Sequence, residues 1–172
     1  SWQRDGTPNG YYVMTVDGSR ATMRFKAASE PADHQMRIVL DPVADGDPES
    51  GIFDFRTGRR PRTILREDRL HEAEVLVNLF DGGPRSTVEY RIGERPPVEM
   101  TRVERPDPFF EDYFVRYAET MKSWVKPEPC SHLWAAGLPE GIGPGPHTLT
   151  VRAVDEYGRE HVARETFEVM GQ

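Results

Sequence analysis

Alternation of apolar and polar residues runs through most of the chain. In "YYVMTVDGSRATMRFKA" two runs of period two flank Asp17-Gly18. Tyr12, Met14 and Val16 share one face of the first run, and Ala21, Met23 and Phe25 one face of the second. Successive side chains alternate across a strand, and glycine accepts the positive φ of a tight turn, so the stretch predicts a β-hairpin. "HQMRIVLDP" sets Met36, Ile38 and Leu40 on one side before a proline stop. "EAEVLVNLFDGG" is apolar on both faces from Val75 to Phe80, the pattern of a central strand. "STVEYRIG" alternates Val88, Tyr90 and Ile92, and Asp81-Gly82-Gly83-Pro84 predicts a hairpin joining it to the strand before. A further short strand is expected in "PVEMTRVE". Near the end, "HTLTVRAV" and "REHVARETFEV" flank the turn "DEYG" as a last hairpin.

One segment changes period. Phe110, Tyr113, Phe114, Tyr117, Met121, Trp124 and Val125 fall three or four apart, a helical stripe. Asp107 suits the N-cap, Pro108 the first helical position, and Pro127 ends the run. The expected fold is therefore mainly β. It is an antiparallel, immunoglobulin-like β-sandwich with one inserted helix near 108–126 and a long, Gly- and Pro-rich loop near 41–69. At 172 residues the chain reads as a single domain, 1–172, long enough for a real core.

Charge narrows the partners. A formal net charge of −7 argues against general affinity for nucleic acid, and no stretch approaches the roughly 20 apolar residues of a membrane span. The lone cysteine, Cys130, excludes an internal disulfide and a cysteine-rich zinc site. The opening "SWQRDGTPNG" is polar and carries no secretion signal, and it reads as a start cut from something longer.

Catalytic motifs are sparse. Two-metal phosphoesterase sites need several His and Asp ligands around ions about 3.5–4 Å apart, and their sequences carry dense Asp-x-His and Gly-His-x-His signatures. Gly46-Asp47 is the sole fragment of such a pattern here. Asp45, Asp47 and Glu49 alternate like the start of a calcium loop, but the later glycine and glutamate are out of register. His147 and Asp155 stand at opposite ends of a strand about 26 Å long and cannot share a metal directly.

Arg56, Arg59, Arg60, Arg62, Arg66 and Arg69 form a basic run. Within it Arg59, Arg60 and Arg62 are candidates for contact with an anion, because guanidinium pairs with phosphate. Glu67, Asp68, Glu72 and Glu74 neutralise much of the run. Lys26, Lys122 and Lys126 are the only lysines, so arginine is the default cation of this chain. Ser131 and His132 are sequence neighbours, which does not make a nucleophile and its base, and no Gly-x-Ser-x-Gly elbow exists. Trp2, Trp124 and Trp134 could stack on a sugar, although such residues more often fill cores.

Several landmarks recur together: "DGTPNGYY" at 5–12, "FKAA" at 25–28, "QMRI" at 35–38, "VLVNLFDGG" at 75–83, "STVEYRI" at 86–92, Met100, Asp107-Pro108, "HLW" at 132–134, Leu138-Pro139 and "GPHTLTVRAVDEYGR" at 145–159. In this order the chain resembles the C-terminal domain of bacterial calcineurin-like metallophosphoesterases. The resemblance implies a non-catalytic accessory domain of a hydrolase, periplasmic or secreted, whose partner is the catalytic domain of the same polypeptide. It implies two divalent metal ions in that missing domain, and no cofactor, catalytic residue or metal ligand in this one. His132 and Trp134, expected in a loop after the helix, are the residues that would face the catalytic domain or its substrate. Trp134 capping the core is the competing reading. Asn78, polar among apolar strand residues, is expected to find a backbone partner. The alternative function is a module that binds glycans or a cell surface, with Trp134 and nearby tyrosines as its platform.

Overall fold

Asp17 and Gly18 turn the chain as their sequence predicts. Gly18 takes a φ of 57°, and the turn joins β1 (Gly10–Asp17) to β2 (Arg20–Ala27) with Tyr12 opposite Phe25 and Met14 opposite Met23. The computed structural model describes residues 3–41 and 63–171. The remaining strands are β3 (Met36–Asp41), β4 (Thr63–Arg66), β5 (Glu74–Leu79), β6 (Thr87–Ile92), β7 (Val98–Glu99), β8 (Thr101–Pro106), β9 (Pro129–Gly137), β10 (Gly145–Val154) and β11 (Glu160–Met170). A single α-helix, α1, spans Pro108–Tyr117 among the described residues. The fold is mainly β.

Two larger sheets share the core. One has the order β4-β11-β10-β6-β7 and the other β3-β5-β9-β8; β1 and β2 make a separate two-stranded sheet. From the five-stranded sheet Val88, Tyr90, Ile92, Leu149, Val151, Ala153, Phe167 and Val169 turn inward. They meet Met36, Leu40, Val75, Val77, Leu79 and Trp134 of the four-stranded sheet. Each large apolar side chain removed from water here contributes about 1.5–3 kcal/mol, so this shared layer is the main source of stability. As its two-sided apolar pattern predicted, β5 lies inside its sheet, between β3 and β9. Its second face carries Leu76, which packs with Cys130, Leu133 and Ala135.

Four expectations are corrected. First, the Asp81–Pro84 turn does not close a hairpin. β5 and β6 belong to different sheets, and the turn carries the chain across the rim of the core. Gly82 runs against the Trp134 indole there, leaving no room for a Cβ. Second, the pairing is not wholly antiparallel, since β4 runs parallel to β11. These strands are distant in sequence, so no tight turn dictates their sense.

Third, the helix ends at Tyr117 rather than near 126, followed by a 3-10 turn over Ala118–Thr120. Within α1 only Phe109 and Phe110 are buried, and Trp124 is 63% exposed. An apolar stripe without a surface to cover does not sustain further turns. Fourth, "HLW" lies on strand β9 and not in a loop. The expected loop near 41–69 also contains β4 and a 3-10 turn at Glu67–Glu72, while its stretch 42–62 lies outside the described residues. No helix among the described residues is long and apolar enough to cross a membrane.

Candidate functional site

On the outer face of β5 the alternation that buries Leu76 also turns Asn78 outward, onto a surface covered by residues 3–9 and the start of α1. The short segment is folded on itself. The Thr7 amide donates to Asp5 Oδ1 at 2.9 Å, and the Gln3 amide to the Thr7 carbonyl at 2.7 Å. Between them Gly6 holds a φ of +85°, and a Cβ there would overlap the Asp107 carboxylate. Glycine is required at this position twice over, by conformation and by space.

Asp107 is the hub. Its Oδ1 accepts from the Phe109 amide at 2.9 Å, capping α1. Its Oδ2 accepts from Asn78 Nδ2 at 2.6 Å and from Arg37 Nη1 at 3.3 Å. Arg37 Nη1 also donates to the Gly6 carbonyl at 2.7 Å, and its guanidinium lies 3.7 Å from the centre of the Phe109 ring. Burial pulls the Arg37 guanidinium down to about 10, with Asp107 opposing the shift. Carboxylate and guanidinium are desolvated together, and each is the other's compensation.

Asn78 links this pair to His132. Its Nδ2 faces two acceptors, Asp107 and the Asp5 carbonyl at 3.1 Å, so its Oδ1 faces His132 Nδ1 at 2.9 Å. A carbonyl oxygen only accepts, which puts a proton on His132 Nδ1. The other nitrogen, Nε2, lies 3.3 Å from Asp5 Oδ2 and 3.4 Å from Thr7 Oγ1. A neutral ring accepts there from the threonine, and a charged ring donates to the carboxylate. Burial alone would lift the Asp5 carboxyl; the bonds from His132 and the Thr7 amide outweigh it and hold it at about 2. Cys130 Sγ lies 3.3 Å from His132 Nδ1, but burial pushes its thiol up to about 12. At neutral pH it is a protonated core residue and not a nucleophile.

His132 also lines a cavity of about 310 Å³ with Asp5, Tyr12, Asp81, Glu156 and Tyr157. Gly82 and Gly83 form part of its wall, and no lysine or arginine among the described residues lines it. Burial raises the Asp81 carboxyl, and the Tyr12 hydroxyl hydrogen-bonds it. Glu156 accepts from the Arg85 amide at 3.2 Å.

The sequence-predicted residues are therefore dispersed. His132 is built into the network, its side chain 14% exposed. Trp134 is within the core at 2% exposure, two residues along β9, and has no ring face free for a sugar. Arg59, Arg60 and Arg62 lie outside the described residues, as do Trp2, Asp45, Asp47 and Glu49. His147 Nε2 donates to its own turn at the Gly143 carbonyl, 2.8 Å away, while His161 pairs with Asp155 at 3.2 Å. The described residues contain no group of three or more His, Cys, Asp or Glu placed to hold a metal. Asn78 finds its backbone partner, as expected, and two side chains besides. Asp5, Thr7, Arg37 and Cys130 were missed as members of the network. Asn78, a polar side chain among the apolar residues of β5, was the one signal leading toward them.

Comparison with known proteins bears on the whole chain. A family model described as the C terminal of calcineurin-like phosphoesterase matches residues 1–161. No curated protein matches. Among solved structures, the crystal structure of CopC from Methylosinus trichosporium OB3b aligns with 58% of this chain and 76% of its own, at 13% identity and a TM-score of 0.31. A likeness at that level carries no argument.

Proposed function

Because this chain belongs to the family of C-terminal domains of calcineurin-like phosphoesterases, we propose that it is a non-catalytic accessory domain of a metal-dependent phosphoesterase. It packs on the catalytic domain of the same polypeptide and contributes to the wall of that domain's substrate cleft. The match over residues 1–161 carries this reading. The chemistry of the described residues supports it. Asp5, His132, Asn78, Asp107 and Arg37 are linked in series by hydrogen bonds, and Cys130 is held protonated. Groups so engaged fix a surface; they are not poised to attack a phosphate ester.

On this reading the two divalent ions belong to the catalytic domain and hydrolysis occurs there, in a periplasmic or secreted protein. The two sheets that share a core are read as an immunoglobulin-like sandwich, with β4 as a parallel addition at one edge. The test is phosphatase activity and thermal stability of the full-length enzyme beside a form lacking this domain, with a manganese-loaded generic phosphate ester. A lower rate or lower melting temperature on deletion is expected. Unchanged values of both would remove the accessory role.

A further inference from the structure

The β1–β2 hairpin is built unlike the rest of the fold. Among the described residues its strands pair only with each other, and every residue of β1 is exposed. Tyr12, Met14 and Val16 occupy one face at 53%, 60% and 65% exposure, beside their cross-strand partners Phe25, Met23 and Ala21. Only the root of that face is covered. Phe25 is buried, meeting Tyr12 and Phe80 edge-on at 5.6 and 5.9 Å. The apolar strip then runs outward, unbroken by a charge.

The opposite face also exposes Tyr11 and Val13, at 54% and 51%, but there they stand opposite charged residues. Arg24 and Lys26 lie there, bound back to carbonyls of Ala32, Ala27 and Glu30. A free strand edge is ordinarily guarded by charge. β1 has none from Gly10 to Val16. A two-stranded hairpin alone is marginal in water. Its strip of alternating Tyr, Met and Val is the composition of a surface that is covered.

We infer that the Tyr12–Met14–Val16 face of the hairpin is the seat of the phosphoesterase catalytic domain of the same polypeptide. This rests on the accessory-domain reading, which makes that domain a covalently tethered neighbour at high effective concentration. The strip ends at the cavity holding Asp5, Asp81 and Glu156, where His132 stands 3.3 Å from Asp5 and Arg85 reaches Glu156 at 3.6 Å. The element that seats here is accordingly apolar along the hairpin.

The test uses the full-length enzyme with a photo-crosslinking amino acid at Met14, and separately at Val162, which is 54% exposed on β11. Met14 is expected to crosslink within one molecule to catalytic-domain peptides, and Val162 is not. Adding Val16→Glu should lower the Met14 yield on the order of tenfold, since a charge then replaces buried apolar surface. Crosslinks confined to this domain would overturn the inference, as would crosslinks between molecules that rise with concentration, which would make the occupant a second copy. Deleting the domain separates the two levels. If deletion lowers the rate or melting temperature but Met14→Glu with Val16→Glu does not, the seat lies elsewhere and the accessory role stands. If deletion changes neither, both readings fall.

Discussion

Asn78 Nδ2 lies 2.6 Å from Asp107 Oδ2, joining the end of a buried strand to the cap of the only α-helix among the described residues. One side-chain amide thereby spans three parts of the fold, because it also donates to the Asp5 carbonyl and accepts from His132. Removing it takes the shortest of three hydrogen bonds from a carboxylate that is 1% exposed. Asn78→Leu should fit the strand by shape yet cost about 2–4 kcal/mol, the range for leaving buried charged and polar groups unmatched. Chemical denaturation compared with the unaltered protein reads this directly. A loss under about 0.5 kcal/mol would mean that water takes the amide's place.

Two glycines with positive φ separate strain from crowding. Gly18 sits in open space, so Gly18→Ala carries only the left-handed penalty of roughly 1 kcal/mol. Gly6→Ala carries a similar penalty and also drives a methyl into the Asp107 carboxylate. A destabilisation of roughly 2–4 kcal/mol is expected at position 6. Equal losses at both positions in thermal unfolding would show that the segment over β5 shifts freely.

Acid should loosen the same segment. Asp5 is held at about 2 in the folded chain against an ordinary 3.8. A depressed carboxyl stabilises the fold above the unfolded value, and that contribution is lost as pH falls from about 4 to about 2. The shift corresponds to about 2 kcal/mol, which screening of a side chain 29% exposed reduces toward about 1. Asp5→Asn should be less stable at neutral pH by that amount and should converge on the parent near pH 2. Parallel stability curves across that window would show that Asp5 does not titrate with folding.

Cys130 gives a kinetic prediction. It is 0% exposed and its thiol is pushed up to about 12 by burial. Iodoacetamide at pH 8 should leave the peptide containing Cys130 unmodified in the native protein and alkylate it once denaturant is added, followed by mass spectrometry. Modification at the rate of a free thiol under native conditions would mean that β9 opens without global unfolding.

Much of the β architecture was legible because its residues decide it locally. Val88, Tyr90 and Ile92, or Leu149, Val151 and Ala153, have one face to bury and one register that buries it. The Asp155 turn was legible for the same reason, its carboxylate accepting from the Tyr157 and Arg159 amides at 2.9 Å each. Partnership was not legible. Asp81-Gly82-Gly83-Pro84 has hairpin chemistry whichever sheet receives the next strand, and only the packing of Gly82 against Trp134 reveals the crossing. β9 was lost because Cys130, Leu133 and Trp134 are apolar on both faces, with a proline at its start. A helical stripe from Phe110 to Val125 overstated α1 because periodicity reports what could be covered, not what covers it. The network around Asn78 draws on residues 5, 37, 107 and 132, and no short-range pattern connects them.

The strap of residues 5–7 has a mechanical consequence. It is moored through the Asp5 carbonyl to Asn78, through the Gly6 carbonyl to Arg37, and through the Asp5 carboxylate to His132. These moorings lie on three adjacent elements of one rigid sheet or its edge, β3, β5 and β9. A pull on the backbone at Asp5 is therefore borne by the sheet before it reaches β1, which begins at Gly10. The hairpin stands on a braced footing, and its tilt is set by the sheet beneath it.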